Sequence, residues 1–488
     1  MTKRSQSRKK SGKVSATAMI INLALLALFT VLGGVVIYMT YRYNFLVFHN
    51  INVIYTGVLV AIFILSLLAI IFKKAKVLTG IVLVFFTILT GVTLFGFKSA
   101  IDVTSKFNET ASYSEVEMSV VALVDSSLND ISEVTSLQAP TGADKNNIDE
   151  LMTQIRIDKG LELTPESVES YQVAYENLKN GSSQAMVLNS AYSSLLEMNY
   201  PDYASSLKTL YTYKITKKVT SDAKQANADS FNIYISGIDT YGSISTVSRS
   251  DVNIILTVNM NTHKILLTTT PRDSYVKIPD GGGDQYDKLT HAGIYGVETS
   301  EKTLENLYGI DIDYYARINF TSFLKLIDLV GGVEVYNDQA FTSLHGNFNF
   351  PVGNITLKSG EEALGFVRER YSLQGGDNDR GKNQEKVIAA LVNKLASLNS
   401  ISNFSAIING LQDSVQTNMP LDAMMTLANT QLSSGSKFTV TSQAVTGAGS
   451  TGQLTSYAMP TASLYMMQLD QTSVATASQA IKNTIEGK

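Results

Sequence analysis

Cysteine is absent from all 488 residues. That excludes disulfides, thiolate metal sites, iron–sulfur clusters and a cysteine nucleophile. Tryptophan is absent too, and the four histidines (His49, His263, His291 and His345) form neither HExxH nor a paired HxxxH. A zinc hydrolase centre is therefore not expected. There is no Walker motif and no GxSxG elbow. Charged residues make up only 17% of the chain against 44% hydrophobic ones. That is too apolar for a disordered chain and too weakly charged for a typical nucleic-acid binder. The first hundred residues contain no acidic side chain.

Those hundred residues instead hold eleven Lys or Arg, leaving 28 basic and 43 acidic side chains for the rest, a net of −15. So sharp a split implies two environments. Three uncharged apolar runs, near Thr17–Met39, Val53–Phe72 and Val77–Phe97, explain the first. Each has about 20 residues, enough to cross a ~30 Å hydrocarbon core as a helix. Lys3, Arg4, Arg8, Lys9, Lys10 and Lys13 precede the first run, and Lys73, Lys74 and Lys76 lie between the second and third. The first loop has only Arg42. The positive-inside rule then places the N-terminus and the second loop in the cytoplasm and everything after Lys98 outside. The first run is too long for a cleavable signal peptide. A multi-pass bacterial surface protein without a disulfide framework is expected.

The length is too great for one ordinary domain and suggests about three. After the basic tail (1–16) and the spans (17–97), residues 98–225 read as an accessory α+β domain. It has a strand at Val116–Val124 and helices at Ile148–Ile157, Pro165–Lys179 (capped by Thr164) and Gln184–Glu197. No catalytic constellation is visible there, and a spacer or regulatory role is expected. Lys214–Asp229 reads as a linker. From 226 to 488 strands and helices interleave: strands Phe231–Ser236, Val252–Val258, Lys264–Thr270 and Val333–Val335, helices Leu304–Tyr308, Phe320–Leu329 and Asn378–Leu398, and a strand-like Gly365–Tyr371. The expected class is α/β, an α/β/α-layered domain on a mixed sheet.

Charges in this domain gather at element ends, where open α/β sheets bind ligands. Asp239 follows the first strand, Arg249 and Asp251 precede the second, and Arg272 and Asp273 follow the third. Arg368 and Arg370, two apart on a strand, would share a face, with Glu369 pointing away. Arg380 and Gln384, four apart, share a helix face, and the Gly375-Gly376 backbone before that helix could meet an anion. Arginine suits bidentate phosphate contacts. Five of them with two separated aspartates resemble a pyrophosphate site with Mg²⁺, a cation that favours carboxylate and phosphate oxygens. Phe320, Phe323, Leu324, Leu326, Ile327, Leu329 and Val330 mostly pack on the sheet, but some could wall a channel for a lipid tail. Gly447–Gly452 matches GxGxxG, yet no clear helix follows it, so it is not read as a nucleotide site.

From about Asp229 to Ala396 the chain resembles the LytR-CpsA-Psr family of Gram-positive envelope proteins. The carriers are Ser236-Gly237-Ile238-Asp239, Ser248-Arg249-Ser250-Asp251, Thr270-Pro271-Arg272-Asp273-Ser274, Asp287-Lys288-Leu289-Thr290-His291-Ala292, Val367-Arg368-Glu369-Arg370 and Asp379-Arg380-Gly381-Lys382-Asn383-Gln384. The resemblance implies a phosphotransferase in the Gram-positive cell membrane. It would move a glycopolymer phosphate, such as capsular polysaccharide, from a polyprenyl-pyrophosphate lipid to peptidoglycan. Asp239 and Asp251 would hold Mg²⁺ (or Mn²⁺). Arg249, Arg272, Arg368, Arg370, Arg380 and Gln384 would grip the pyrophosphate. The general base is open between Asp273 and a metal-bound water. Val252 stands where members often have Thr. The implied partners are the lipid-linked polymer, peptidoglycan, the membrane and other capsule-assembly proteins. Nucleic acid is not expected, because the cytoplasmic parts are too short for a DNA-binding domain. Two other readings stay open: a lipid-sensing regulator of capsule synthesis, and a pyrophosphatase that cleaves the donor.

Overall fold

The computed structural model describes residues 2–200, 202–219, 229–238, 244–395, 415–434 and 438–488. The chain divides into two compact units. One joins residues 1–105 to 420–437, and the other joins 106–419 to 438–488.

In the first unit, helices α1 (Thr2–Arg42), α2 (Ile51–Ile71) and α3 (Lys76–Ala111) contain three segments long and apolar enough to cross a membrane. Only 28%, 17% and 17% of the most apolar window of each is buried within the structure, which suits helices that anchor a chain in a membrane. Leu26, Phe29, Leu59, Ile70 and Leu83 pack between them. Thr40 and Thr90 return their hydroxyls to the carbonyls four residues back, satisfying a polar group without leaving the helix. The third span does not stop at Phe97, as the hydropathy suggests, but continues as helix to Ala111. The Ser/Thr-rich stretch beyond Phe97 lacks a Gly or Pro stop signal until Tyr113 enters a strand. The helix Leu421–Ser434 belongs to this unit. Leu421 packs with Val36, Phe45 and Phe97. Asn429 accepts from the backbone N–H of Val47 (3.2 Å) and Phe48 (3.4 Å) and donates to the Asn44 carbonyl (2.6 Å).

The second unit opens with a five-stranded sheet. Its strands are β1 (Tyr113–Leu123), β2 (Leu137–Ala139), β3 (Glu166–Ser167), β4 (Ala185–Asn189) and β5 (Leu207–Lys218), in the order β3-β2-β4-β1-β5. Helices α4 (Lys145–Lys159) and α5 (Tyr171–Lys179) cover it, with Met118, Val120, Val187, Leu151, Ile155 and Tyr175 in the core. Three expectations change here. The helix read from Pro165 starts only at Tyr171, because Ser170, not Thr164, accepts from the Val173 N–H (3.2 Å), and Glu166–Ser167 pairs with β2 instead. Gln184–Glu197 is a buried strand followed by the short helix α6 (Ser193–Asn199); an apolar run buried on both sides does not reveal its period. The linker read from Lys214 overlaps β5, which pairs with β1 as far as Lys218.

The second sheet is mixed and six-stranded. It begins with β6 (Ser230–Ile238), β7 (Ser250–Asn259) and β8 (Lys264–Thr269), antiparallel neighbours in that order. Tyr314–Asn319 lies parallel to β6, Thr439–Ala444 lies parallel to β8, and Val415–Thr417 closes the edge. Helices Val297–Tyr308 and Gln471–Glu486 pack one face through Tyr234, Ile255, Leu304, Tyr308, Tyr315 and Ile481. The helix Asp377–Leu395 packs the other, giving the three layers. Gly365–Tyr371 is not a strand. Gly360–Arg368 is helical and capped by Ser359, and the chain turns extended only at Glu369.

Candidate active site

The parallel pairing of β6 with Tyr314–Asn319 brings two strand carboxyl ends to one edge, beside the start of β7 and the end of β8. A β-bulge between Gly237 and Ile238 shifts the register there, a device that re-aims side chains. A Cβ on Gly237 would sit 2.7 Å from the Val252 side chain. Beneath the bulge, Tyr234 donates to Asn253 Oδ1 (2.7 Å), and the Ser236 and Ser250 hydroxyls meet at 2.8 Å. This buried polar network fixes the backbone on either side of Ser250, and hence Arg249 and Asp251.

At that edge a cleft of about 500 Å³ opens. All five singled-out arginines line it, together with Asp251 and Gln384. Arg249, Arg272 and Arg380 are buried, Arg370 is half-buried and Arg368 is exposed. Asp251 accepts from Arg272 Nη1 (2.7 Å) and from Thr290 Oγ1 (3.0 Å). Burial pushes its carboxyl up, but the Arg272, Arg249 and Arg380 guanidiniums outweigh this and hold it far below the usual carboxylate range. Arg370 lies over the Tyr371 ring, 4.5 Å from its centroid. Gln384 Nε2 donates to the Val367 carbonyl (3.4 Å), tying the long helix to the arginine segment.

Arg368 and Arg370 do share a cavity, though not as alternate positions on a strand. Glu369 between them is expected to point away, but it too lines the cleft, buried and accepting from Leu344 N–H (2.6 Å), Arg370 N–H (3.0 Å) and Ser372 N–H (2.9 Å). Burial disfavours its charge, but the backbone donors prevail and lower its pKa. The glycine pair does not present free amides. Gly375 N–H donates to Asp379 Oδ2 (2.8 Å) and Gly376 N–H to the Leu373 carbonyl (3.2 Å). Apolar side chains complete the cleft: Ile238, Val252, Ile318, Phe323, Leu344, Leu364, Val367 and Ile388. Phe323 thus faces it, while Leu326 and Ile327 are buried. The Phe320 side chain is outside those described.

Asp239 lies outside the described residues, so only Asp251 of the expected metal pair is placed. Among the described residues no group of three or more His, Asp or Glu side chains is arranged to hold a metal. Asp273 does not line the main cleft. It lines a second cavity of about 260 Å³, which shares Asp251, Arg272, Arg380 and Gln384 with the first. Its carboxylate pairs with the buried Lys288. The motif from Asp287 to Ala292 explains this framing. Asp287 accepts from Ser456 Oγ (2.7 Å) and Ala458 N–H (2.8 Å) and lies 2.8 Å from His291 Nδ1. It thereby fixes Lys288 and Thr290, the residues that reach Asp273 and Asp251. A Cβ on Gly293 would come within 2.6 Å of the Ser248 carbonyl and the Ser250 nitrogen, so only glycine lets this segment lie against Arg249. Gly447–Thr451 pairs with Tyr465–Leu469 as a strand and opens no helix.

Comparison with known proteins shows the family. The model of the LytR_cpsA_psr family matches residues 198–473. A DNA polymerase processivity factor model matches residues 73–188, less than a quarter of the chain and partly a membrane helix, and shows no family. A TagU of Oceanobacillus iheyensis, named polyisoprenyl-teichoic acid–peptidoglycan teichoic acid transferase, is 34% identical over 272 residues, 54% of this chain and 78% of that one. An Enterococcus faecalis protein of the same name is 38% identical over 233 residues, 47% of this chain and 74% of that one. The crystal structure of B. subtilis TagU is 28% identical, covers 53% of this chain and 98% of that one, and superposes with a TM-score of 0.41. With more than half its length matched by one family model, this chain belongs to the LytR_cpsA_psr family.

Proposed function

We propose that this protein is a membrane-anchored phosphotransferase. It would take capsular polysaccharide or a similar anionic glycopolymer from a polyprenyl-pyrophosphate carrier, attach it through phosphate to a peptidoglycan hydroxyl, and release polyprenyl phosphate. The observation that carries this reading is the convergence of five arginines on one cleft that also has an apolar wall of Ile238, Val252, Ile318, Phe323, Leu364 and Ile388. The arginines suit a pyrophosphate and the apolar side chains suit a lipid tail. The named activity of the TagU relatives supports the same reaction class.

Phosphoryl transfer needs positioning and neutralisation of charge more than covalent help from the protein. In the proposed reaction Arg249, Arg272 and Arg380 hold the bridging phosphates, while Arg368 and Arg370 reach in from the rim. The acceptor hydroxyl attacks the polymer-side phosphorus, and the bond to the polyprenyl phosphate oxygen breaks. Asp251 could share a Mg²⁺ or Mn²⁺ ion with substrate phosphate oxygens, as one carboxylate with phosphates and water commonly does. Asp239 is the other proposed ligand, and the ion would add positive charge beside the phosphates. Asp273, held by Lys288, is suited to orienting Arg272, with its Oδ2 3.8 Å from Nε, more than to taking a proton. The eleven basic and no acidic residues of the first hundred support a cytoplasmic N-terminus and an external catalytic unit. Capsule-assembly proteins are proposed partners.

The test uses the full chain in detergent with a polyprenyl-pyrophosphate-linked saccharide, peptidoglycan fragments and Mg²⁺, read by mass spectrometry. A phosphodiester adduct that disappears in Arg272→Ala is expected. Polyprenyl phosphate released without an adduct would instead establish a pyrophosphatase, and lipid binding without turnover a sensor.

A further inference from the structure

The arginine cleft and the second cavity meet over a single strand. The six-stranded sheet runs in the order Val415–Thr417, Tyr314–Asn319, β6, β7, β8, Thr439–Ala444. The cleft lies toward the first half of that order, where Ile238 of β6 and Ile318 of its parallel neighbour line it. The second cavity lies toward the other half, lined by Thr269 at the end of β8 and by Ala444 at the end of the strand beside it. Asp251 and Val252, at the start of β7, line both. So do Arg272, Arg380 and Gln384. Neighbouring strands lie about 4.8 Å apart. The two spaces therefore flank the same charged groups from opposite sides, each within reach of one substrate.

That placement matters for the chemistry. Phosphoryl transfer sets the attacking and leaving oxygens roughly in line. With a pyrophosphate on the shared arginines and the lipid along the apolar wall of the cleft, the leaving oxygen departs toward β6. The attacking oxygen must then come from the β8 side, which is the second cavity. Its volume of about 260 Å³ falls below the ~300–1,000 Å³ of pockets that hold a whole small ligand. It suits one ring at the edge of a longer chain. Thr446 and Tyr465 stand exposed among its lining residues, a hydroxyl and an aromatic ring with a polar tip.

We propose that the second cavity is the acceptor subsite, taking one sugar ring of the peptidoglycan strand and presenting its hydroxyl to the phosphorus on the shared wall. The assignment rests on the transferase reading. The acceptor oxygen forms a bond to the polymer-side phosphorus, the bond from that phosphorus to the bridging oxygen breaks, and the electron pair leaves with polyprenyl phosphate. The acceptor proton passes to water.

The test measures transfer kinetics on the full chain in detergent, with a polyprenyl-pyrophosphate-linked saccharide as donor and peptidoglycan oligosaccharides as acceptor. Gly381, on the helix Asp377–Leu395, lines the second cavity and not the cleft, and a Cβ there meets nothing within 4 Å. Gly381→Trp can thus fill the space without displacing a neighbour. It should raise the acceptor KM at least about tenfold and leave the donor KM within twofold, while Gly381→Ala stays near wild type. Tyr465→Ala should raise the acceptor KM by several-fold, again without changing the donor KM. Unchanged acceptor KM in both Gly381→Trp and Tyr465→Ala, with wild-type transfer, overturns the acceptor subsite alone. A rise confined to the donor KM also overturns it, because the polymer's own sugar would then occupy the cavity. A wild-type chain that forms no adduct overturns the transferase reading and this assignment together.

Discussion

Two half-buried aspartates, Asp251 in the arginine cleft and Asp144 in an accessory cavity at the start of α4, each accept side-chain hydrogen bonds, yet their acidities move in opposite directions. Burial raises both. Around Asp251 three guanidiniums more than reverse it. Around Asp144 the partners are a phenol and two amides, with Lys217 a lesser influence, and burial prevails, so its pKa stays raised. Hydrogen-bond geometry is similar in the two places; formal charge differs. The cleft is therefore built to receive several negative charges and the accessory cavity is not.

The sharpest way to break this contrast is Arg272→Ala. Polymer transfer should fall at least ~100-fold, as when a donor to a developing oxyanion is removed. Asp251 should then titrate upward, toward the behaviour of Asp144, in a pH series of thermal stability. Transfer within a few-fold of wild type in a well-folded variant would contradict the assigned cleft. Next comes Gly293→Ala. The added methyl must displace the 248–250 backbone, so a stability loss of about 1–3 kcal/mol and weakened pyrophosphate binding are expected, by melting and by calorimetry. Tyr371→Ala removes the ring beneath Arg370 and should lower transfer by several-fold, about 1 kcal/mol. The smallest effect concerns pH. Asp251 and Asp287 have lowered pKa values, so the stability they add is present above the unfolded carboxylate range near ~4 and is lost as pH falls through their folded values. Asp144, raised, has the opposite sign: its folded form holds the proton more tightly, and its contribution improves as pH falls through its folded value. Asp144→Asn should therefore steepen acid unfolding slightly, and Asp251→Asn should make it shallower.

Much of the site was legible in the sequence because its charges stand beside strand ends that hydrophobic patterning locates well. Arg249, Asp251 and Arg272 needed only the hairpin β7–β8, whose two short runs rich in β-branched residues are separated by the Asn259–His263 turn. Arg368 and Arg370, expected to share a strand face, stand instead at a helix end and just past one extended residue, Glu369, an arrangement that period-two spacing does not distinguish from a strand. Thr290 and Lys288 carried no legible role, since their contacts to Asp251 and Asp273 span 39 and 15 positions and depend on Asp287 being anchored to Ser456 and Ala458. The accessory sheet was least legible. Ala185–Asn189 is buried in the middle of that sheet, and a fully apolar run hides its period. The Asp144 cavity assembles residues from seven separate stretches, none of them a motif.

The attachment of Asn429 and Leu421 to the membrane unit has a practical consequence. A secreted fragment starting after the third span would keep the helix Leu421–Ser434 but lose Val36, Phe45 and Phe97, which cover Leu421, and the loop amides that satisfy Asn429. Such a fragment would carry a sticky apolar edge of its own making. Its self-association or detergent dependence would report the missing anchor, not a native oligomer.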